Sequence, residues 1–467
     1  MMQMESCLRR AVRIAIGATV MAACTNAHAS GFALLEQSAS RLGTAFAGTA
    51  AAADDATTVF YNPAGLLELD QAELTLVASG VDIGSEFRNS NSQAALGQPL
   101  GVEGGDAGGW NAVPAAYFAL PLGKDVAFGF GFNVPFGLQL DYAHDWMGRF
   151  QALKSEIKTY NFNPALSFRL NDHVSLGFGM NYQKVQAELT NALNYSAVVG
   201  QGLQQLVGAG QLSPADVPDL LAANAGLEGG TVVRGDDADW GFNAGVLFKF
   251  TENTRLGLAY RSSLKYHIEG SARFAPASTA NPVGAGIIAA ASAPGAQLAN
   301  GAVSVDLELP DIATASFYQK LGERFELLAD VAWTGWSSVQ ELRIVRDSGE
   351  VLSVTPEHWE DTWRYALGLT YRISDTWKLR GGVAFDETPV PDSTRTARLP
   401  DAERKWVAVG ARWQPSDSTL IDFGYAHLFS DDVTINQDDG NALASGLLDG
   451  KQKSSVDIVA AQFGYRF

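Results

Sequence analysis

The chain has 467 residues, 46% of them apolar and 18% charged, with 48 Gly and two Cys. That apolar share excludes extended disorder, and the length suits either two or three soluble domains or one large barrel. Acidic residues outnumber basic ones by 51 to 33, and the resulting net charge of -18 repels phosphate backbones and argues against nucleic acid as a partner.

Residues 1–29 read as a secretory signal peptide. Arg9, Arg10 and Arg13 precede an apolar run from Ile14 to Ala23, and Ala27-His28-Ala29 has the small-x-small form of a cleavage site. A lipoprotein box ending at Cys24 is the weaker alternative, because Met21 is unusual in such a box. Cleavage after Ala29 removes Cys7 and Cys24, so the exported chain has no disulfide to stiffen it. After Ala29 no run of roughly 18 apolar residues offers a membrane helix. A periplasmic, a secreted and a barrel protein remain.

Residues 30–70 carry no strand alternation and are rich in Ala, Gly, Ser and Thr. From 71 onward a period of two takes over. Val174, Leu176, Phe178, Met180 and Tyr182 alternate with Ser175, Gly177, Gly179 and Asn181, and Trp240 to Phe250 repeats the pattern. At the C-terminus Val459, Ala461, Phe463, Tyr465 and Phe467 share one face. One face is greasy and aromatic while the other is Gly, Asn, Lys and Arg, which is the signature of an outer-membrane barrel. A soluble sandwich would turn its apolar face inward.

Fourteen ribbons can be placed, starting near 71, 110, 125, 159, 174, 236, 255, 304, 325, 360, 377, 404, 419 and 454. Their connections alternate short and long, as periplasmic turns and external loops do, and an even number closes the sheet. The expected fold is therefore all-β: a 14-stranded antiparallel transmembrane β-barrel over 71–467 with an N-terminal lumenal hatch over 30–70. A barrel of this size leaves a hole, and the compact, loosely helical segment 30–70 is expected to plug it.

Ser30-Gly31-Phe32-Ala33-Leu34, Gly43-Thr44-Ala45-Phe46-Ala47-Gly48, Asp54-Asp55-Ala56 and Tyr61-Asn62-Pro63-Ala64-Gly65 resemble the N-terminal hatch of the FadL family of outer-membrane transporters. Further blocks follow in the family's order: Trp146 to Ser155, Trp240 to Gly245, Leu309-Pro310-Asp311, Trp333 to Ser337 with Glu341-Leu342-Arg343, and Phe385 to Pro391. The resemblance spans the whole exported chain. It implies passive transport of long-chain fatty acids or, alternatively, of monoaromatic or aliphatic hydrocarbons. Ligand is captured in an external hydrophobic groove, moves to a lumenal pocket and leaves sideways at a kinked strand. A dry path suits such cargo, since burying a tail is worth about 0.8 kcal/mol per methylene before ordering costs.

The resemblance places the external groove on Trp146, Met147, Phe150 and Leu153 of one loop and on Leu203, Leu206, Val207, Leu220 and Leu221 of another. In the second loop the spacing is helical; these helices could equally pack on each other and cap the barrel. Arg343 matches a basic position of the family's head-group pocket, and a pair with Glu341 is its alternative role. The family's second basic position falls near Gln186, which is not basic, with Lys184 close by; this departure favours a neutral hydrocarbon. The strand kink is expected at Gly129, Gly131, Asn133 and Pro135, where Gly and Pro mark bulges and edges, although these glycines could simply make room for the hatch. Within the hatch, Asn62, Pro63 and Ala64 beside Asp54 and Asp55 read as a turn or as a lumenal anchor.

His144, His173, His267, His358 and His427 are the five histidines of the exported chain. None assembles with a nucleophile and an oxyanion donor, and no enzyme is expected. His267, between Lys265 and Glu269, is expected on the lumen face. No cofactor or resident metal is expected. The expected partners are the fatty acid or hydrocarbon ligand, outer-membrane lipid and lipopolysaccharide; calcium shared between lipopolysaccharide and external acids is the weaker alternative to no metal. The protein is expected to be a monomer.

Overall fold

A computed structural model describes residues 31–467; the expected signal peptide lies outside the described residues. Where the sequence alternates, strands form, each with one apolar and one small or polar face. Eight run unbroken: β1 (Glu73–Asn89), β2 (Gly109–Pro121), β4 (Lys154–Asn171), β5 (Val174–Asn194), β6 (Glu228–Thr251), β11 (Trp377–Asp386), β12 (Arg404–Ser416) and β14 (Leu448–Arg466). Six are interrupted. These are β3 (Val126–Asn133, then Gly137–Asp141), β7 (Thr254–Arg261, Leu264–Ala275) and β8 (Gly301–Leu309, Ile312–Leu321). The others are β9 (Phe325–Thr334, Glu341–Arg346), β10 (Val351–Pro356, Thr362–Arg372) and β13 (Thr419–Ser430, Val433–Gln437). Neighbours in the chain pair antiparallel, and β1 closes on β14 from Glu73↔Arg466 to Asn89↔Gly450. The result is a closed 14-stranded barrel, and closure removes the free edges of an open sheet.

Large apolar side chains point outward. Phe178 is 50% and Leu367 55% exposed, an arrangement that lipid tolerates and water does not. The alternate positions, among them Ser175, Asn181, Arg380 and Asp422, are buried in the lumen. β5 and β6 have 21 and 24 residues, roughly 70 and 80 Å of strand at about 3.3 Å per residue. Only about 9–11 residues are needed to span a bilayer, so the wall rises well beyond the membrane. The long external connections are correspondingly shorter than the alternation predicts. The loop after β5 carries α3 (Tyr195–Gly208) and α4 (Val217–Ala223), and the loop after β7 carries α5 (Pro282–Ala291). Pro114, which breaks the alternation of β2, lies in the part of that strand that has no β3 partner, where a free edge tolerates proline.

Residues 31–70 fold as turns around α1 (Ala39–Leu42), α2 (Thr58–Tyr61) and a 3-10 turn, Pro63–Glu68. Leu42, Phe46 and Val59 are fully buried against the inner face of the wall. The segment fits because the wall opposite it is glycine. A Cβ on Gly177 would lie 2.1 Å from the Ala64 nitrogen, and one on Gly382 would lie 2.2 Å from the Thr44 carbonyl carbon.

Candidate functional site

In the external half of the barrel, inward positions of several strands converge on an apolar cavity of about 910 Å³, open mouth included. Leu138, Ile157, Leu189, Ile268, Val305 and Leu307 form its sides. They stand at lumen-facing positions of five strands, with Val305 and Leu307 both on β8, so strand parity makes this wall dry. The floor is aromatic. Phe32 of the N-terminal segment lies 5.9 Å from Phe136, 5.1 Å from Trp336 and 5.8 Å from Trp359 between ring centroids. Phe136, Trp336 and Trp359 sit in the breaks of β3, β9 and β10, where the chain turns inward.

Besides Arg234 of β6, which is paired with Glu188, two ionisable groups from irregular external segments line this largely apolar space. Arg398 donates to Ser155 Oγ at 3.5 Å, the Thr190 carbonyl at 3.4 Å and Asn191 Oδ1 at 3.4 Å, and burial pushes its guanidinium down to about 10 against the opposing pull of Asp439 and Glu357. Bonds this long are weak, and a half-buried cation with weakly bonded partners is disposed to take an anion. Glu357 accepts from Trp359 Nε1 at 2.9 Å, and burial pushes its carboxyl up to about 7 against the opposing pull of Arg398. Neither residue carries a sequence signal of this role, because both lie in irregular segments between ribbons.

Below the floor the N-terminal segment separates two further cavities. One, of about 880 Å³, shares Phe32, Leu138 and Leu399 with the upper cavity and extends toward Val81 and Val456. The other, of about 890 Å³, shares Ala33, Leu34 and Leu35 with the second and reaches Pro135 and Ile312. Phe32 thus lines both the first and second spaces, and residues 33–35 line both the second and third.

The expected kink in β3 is present as a break between Asn133 and Gly137. Val134 exchanges hydrogen bonds with the Gln37 side chain at 3.2 and 2.7 Å, and the Pro135 carbonyl accepts from Leu34 N at 2.8 Å. The β2–β3 ladder stops at Ala116↔Phe132, which leaves β2 from 109 to 115 with no β3 partner. Asn133 is buried, and Gly129 faces Val59 and Leu66 of the N-terminal segment, so this glycine makes room for that segment. A Cβ on Gly131 would meet Tyr117 at 3.1 Å.

The N-terminal segment is tied to the wall by buried charge. Asp54 pairs with Arg41. Asp55 accepts from Ser40 at 2.8 Å, Arg412 at 2.8 Å and Gln462 at 3.0 Å, and Arg412 also holds Asp422 at 2.8 Å. Burial pushes the Asp55 carboxyl up, but Arg412 and Arg41 more than offset it and hold it down at about 2. Asn62 donates to the Ala50 carbonyl at 2.7 Å and the Val246 carbonyl at 3.2 Å, and caps the turn that Pro63 begins by accepting from Ala64 N at 3.0 Å. The Asn-Pro-Ala run therefore bonds both its own segment and the barrel.

Two expectations need correction. The first concerns the external groove, whose two walls do not meet. Trp146, Met147, Phe150 and Leu153 are buried with Phe87, Tyr142 and Ile435, and Trp146 stacks on Tyr142 at 4.0 Å. Leu203 is buried in a separate cluster with Tyr195, Val199 and Ile288, with Leu220 and Leu221 at its margin. Leu206 and Val207 are half-buried. The partner of α3 is α5, where Gly202 lies against Ile287, and the uncharged sequence of α5 gives no period by which to find it. The second correction concerns the head-group set. Arg343 is exposed and holds Glu341 at 2.6 Å, because Leu342 and Ile344 take the inward positions of β9. Lys184 pairs with Asp236 at 2.7 Å, and Gln186 is exposed on the same outer face, since Val185 and Ala187 point inward.

Comparison with known proteins bears on this geometry. The profile of the family described as "Outer membrane protein transport protein (OMPP1/FadL/TodX)" matches residues 20–467. The long-chain fatty acid transport protein of Escherichia coli K12 is 30% identical over 428 residues, covering 91% of this chain and 93% of that protein. A crystal structure of a Pseudomonas aeruginosa FadL homologue superposes with a TM-score of 0.81 at 26% identity, covering 94% of this chain and all of the other. The Pseudomonas putida toluene transporter TodX shares the fold, with a TM-score of 0.66 at 17% identity over 95% of this chain and 99% of its own. With profile, relative and barrel in agreement along nearly the whole length, the chain belongs to the OMPP1/FadL/TodX family of outer-membrane transport proteins.

Proposed function

We propose that this barrel carries long-chain fatty acids passively across the outer membrane, binding the tail in the upper apolar cavity and the carboxylate at Arg398. The observation that carries the reading is a weakly bonded, half-buried guanidinium beside an apolar cavity large enough for such a ligand. Each methylene moved from water into that cavity contributes about 0.8 kcal/mol before ordering costs. Movement of residues 32–35 would join the upper cavity to the two below it, and the unpaired stretch of β2 beside the β3 break offers a sideways exit into lipid. Residues 31–70 act as the plug, and the protein works as a monomer among lipopolysaccharide and outer-membrane lipid, without catalysis.

A neutral hydrocarbon is the second reading. It is favoured by the aromatic floor and by the outward placement of Arg343 and Lys184, and it fits the cargo of the toluene transporter TodX. Uptake of labelled oleate and labelled toluene, in cells that lack their own transporter and express this chain, separates the two. Oleate uptake that needs the chain and falls on Arg398→Ala supports the first; toluene uptake alone supports the second.

A further inference from the structure

The ladder between β6 and β7 is interrupted, as the one between β8 and β9 also is. The strands pair from Gly230↔Ala275 to Asp236↔Glu269, and again from Asn243↔Arg261 to Thr251↔Thr254. Between these ladders one backbone bond is kept, from Ser262 N to the Phe242 carbonyl at 2.9 Å, and side chains supply the other ties. The Asp237 carboxylate accepts from Ala238 N at 2.7 Å and, across the gap, from His267 N at 2.7 Å. Asp239 accepts from Lys265 N at 2.8 Å, and Phe242 N donates to Ser262 Oγ at 2.9 Å. His267, expected in the lumen, points outward to Asp306 at 2.7 Å. A carboxylate inserted between two N–H groups holds strands apart, and a rotamer change can release it where a backbone ladder could not.

Next to this gap the wall is also thin. Gly235 and Gly270 are register partners on lumen-facing positions, so neither adds a side chain to the wall there, and Ile268 alone leans toward Gly235, its Cγ2 2.7 Å from where a Cβ would stand. The upper cavity inside and a groove of about 1000 Å³ outside share Ala187, Arg234, Gly235 and Gly270 in their linings. The charges of the outer groove compensate one another, with Lys158 on Glu156 at 2.5 Å and Arg234 on Glu188 at 2.7 Å. On the outward face just below, Tyr182, Trp240 and Tyr260 are exposed, and the first two rings lie 4.9 Å apart. Aromatics at this position mark the membrane interface, so the thin wall stands directly above it.

We infer that the β6–β7 wall is a side portal through which an apolar molecule with at most one small polar head passes between the membrane interface and the upper cavity, with Asp237 and Asp239 as its releasable ties. A molecule already adsorbed among lipid chains reaches the cavity this way without rising through water to the rim. The inference rests on the reading of the upper cavity as the binding site.

The residues 30–467 contain no cysteine, which permits a direct test. Ala238→Cys with His267→Cys places one thiol on each side of the gap, and Val383→Cys with Val407→Cys staples a continuous ladder as the control. Oxidation of the first pair is expected to cut oleate and toluene uptake at least tenfold, reduction to restore it, and the control staple to change uptake less than twofold. In a second measurement, Gly235→Cys in intact cells is expected to react with a bulky membrane-impermeant maleimide and to lose uptake to the same extent. Uptake within twofold after complete oxidation, or after complete labelling, overturns the portal, and a Gly235→Cys that resists labelling does so as well. Unmodified cells that take up neither compound overturn the cargo reading itself, whereas normal uptake that ignores the modifications overturns the portal alone.

Discussion

The ring of Phe32 lies 5.1 Å from that of Trp336, so one side chain of the N-terminal segment closes the floor of a cavity whose walls belong to the barrel. Phe32 is only 6% exposed, and both the upper cavity and the one beneath it have it in their lining. Removing the ring joins the two spaces. Phe32→Ala is expected to raise single-channel conductance in planar bilayers several-fold and to speed oleate uptake. Unchanged conductance would show that another residue closes the floor.

Arg398 and Arg343 make opposite predictions for the same ligand. A hydrogen bond to a charged group is worth about 1.5–3 kcal/mol, so Arg398→Ala is expected to weaken oleate binding roughly 10- to 100-fold and to leave toluene binding within twofold. Arg343, exposed and already paired with Glu341, should be replaceable by Ala with no change in either affinity. Fluorescence displacement on purified protein reads both.

Glu357 makes anion binding depend on pH. Burial pushes its carboxyl up to about 7, so it is neutral below that pH and anionic above it. Once ionised it repels an incoming anion and competes for Arg398. Affinity for a long-chain alkyl sulfonate, whose head stays charged throughout, is therefore expected to fall as pH rises from 6 to 8. One unit of pKa coupling corresponds to about tenfold. Glu357→Gln should flatten the profile, and a profile that persists in this variant would assign the dependence elsewhere.

The N-terminal segment is held in the lumen by ion pairs as well as by apolar contact. Arg412 bonds Asp55 of the N-terminal segment and Asp422 of the wall, and all three are buried. Breaking a buried pair costs roughly 3–5 kcal/mol, because the remaining charge is stranded. Arg412→Ala is expected to lower the unfolding temperature and to raise ion leakage, as should deletion of residues 54–64. The Asp55 carboxyl, held at about 2, keeps its stabilising charge at neutral pH and loses it only as pH falls toward that value. Leakage through the wild-type barrel should thus appear under strong acid and not at pH 5; bilayer conductance across that range checks it.

Strand alternation and connection length determined the fold without tertiary information. Outward Phe178 and Leu367 and inward Ser175 and Arg380 follow from parity, because lipid outside and a packed lumen inside demand opposite chemistry on the two faces of each strand. The family motifs likewise mark the N-terminal segment, whose contacts run through Asn62, Asp54 and Asp55. What the sequence left open was decided where strands break. Arg343 looked like a lumenal base, but its parity in the short second half of β9 turns it outward, and parity cannot be carried across the break at Gly335. Arg398, Glu357 and Trp359 reach the cavity from irregular segments with no period, and the groove helices find their partner in α5, far along the chain. Periodicity describes what each residue of a regular strand faces; the meeting of breaks and loops from distant strands at one cavity depends on closure of the barrel, which only the tertiary structure decides.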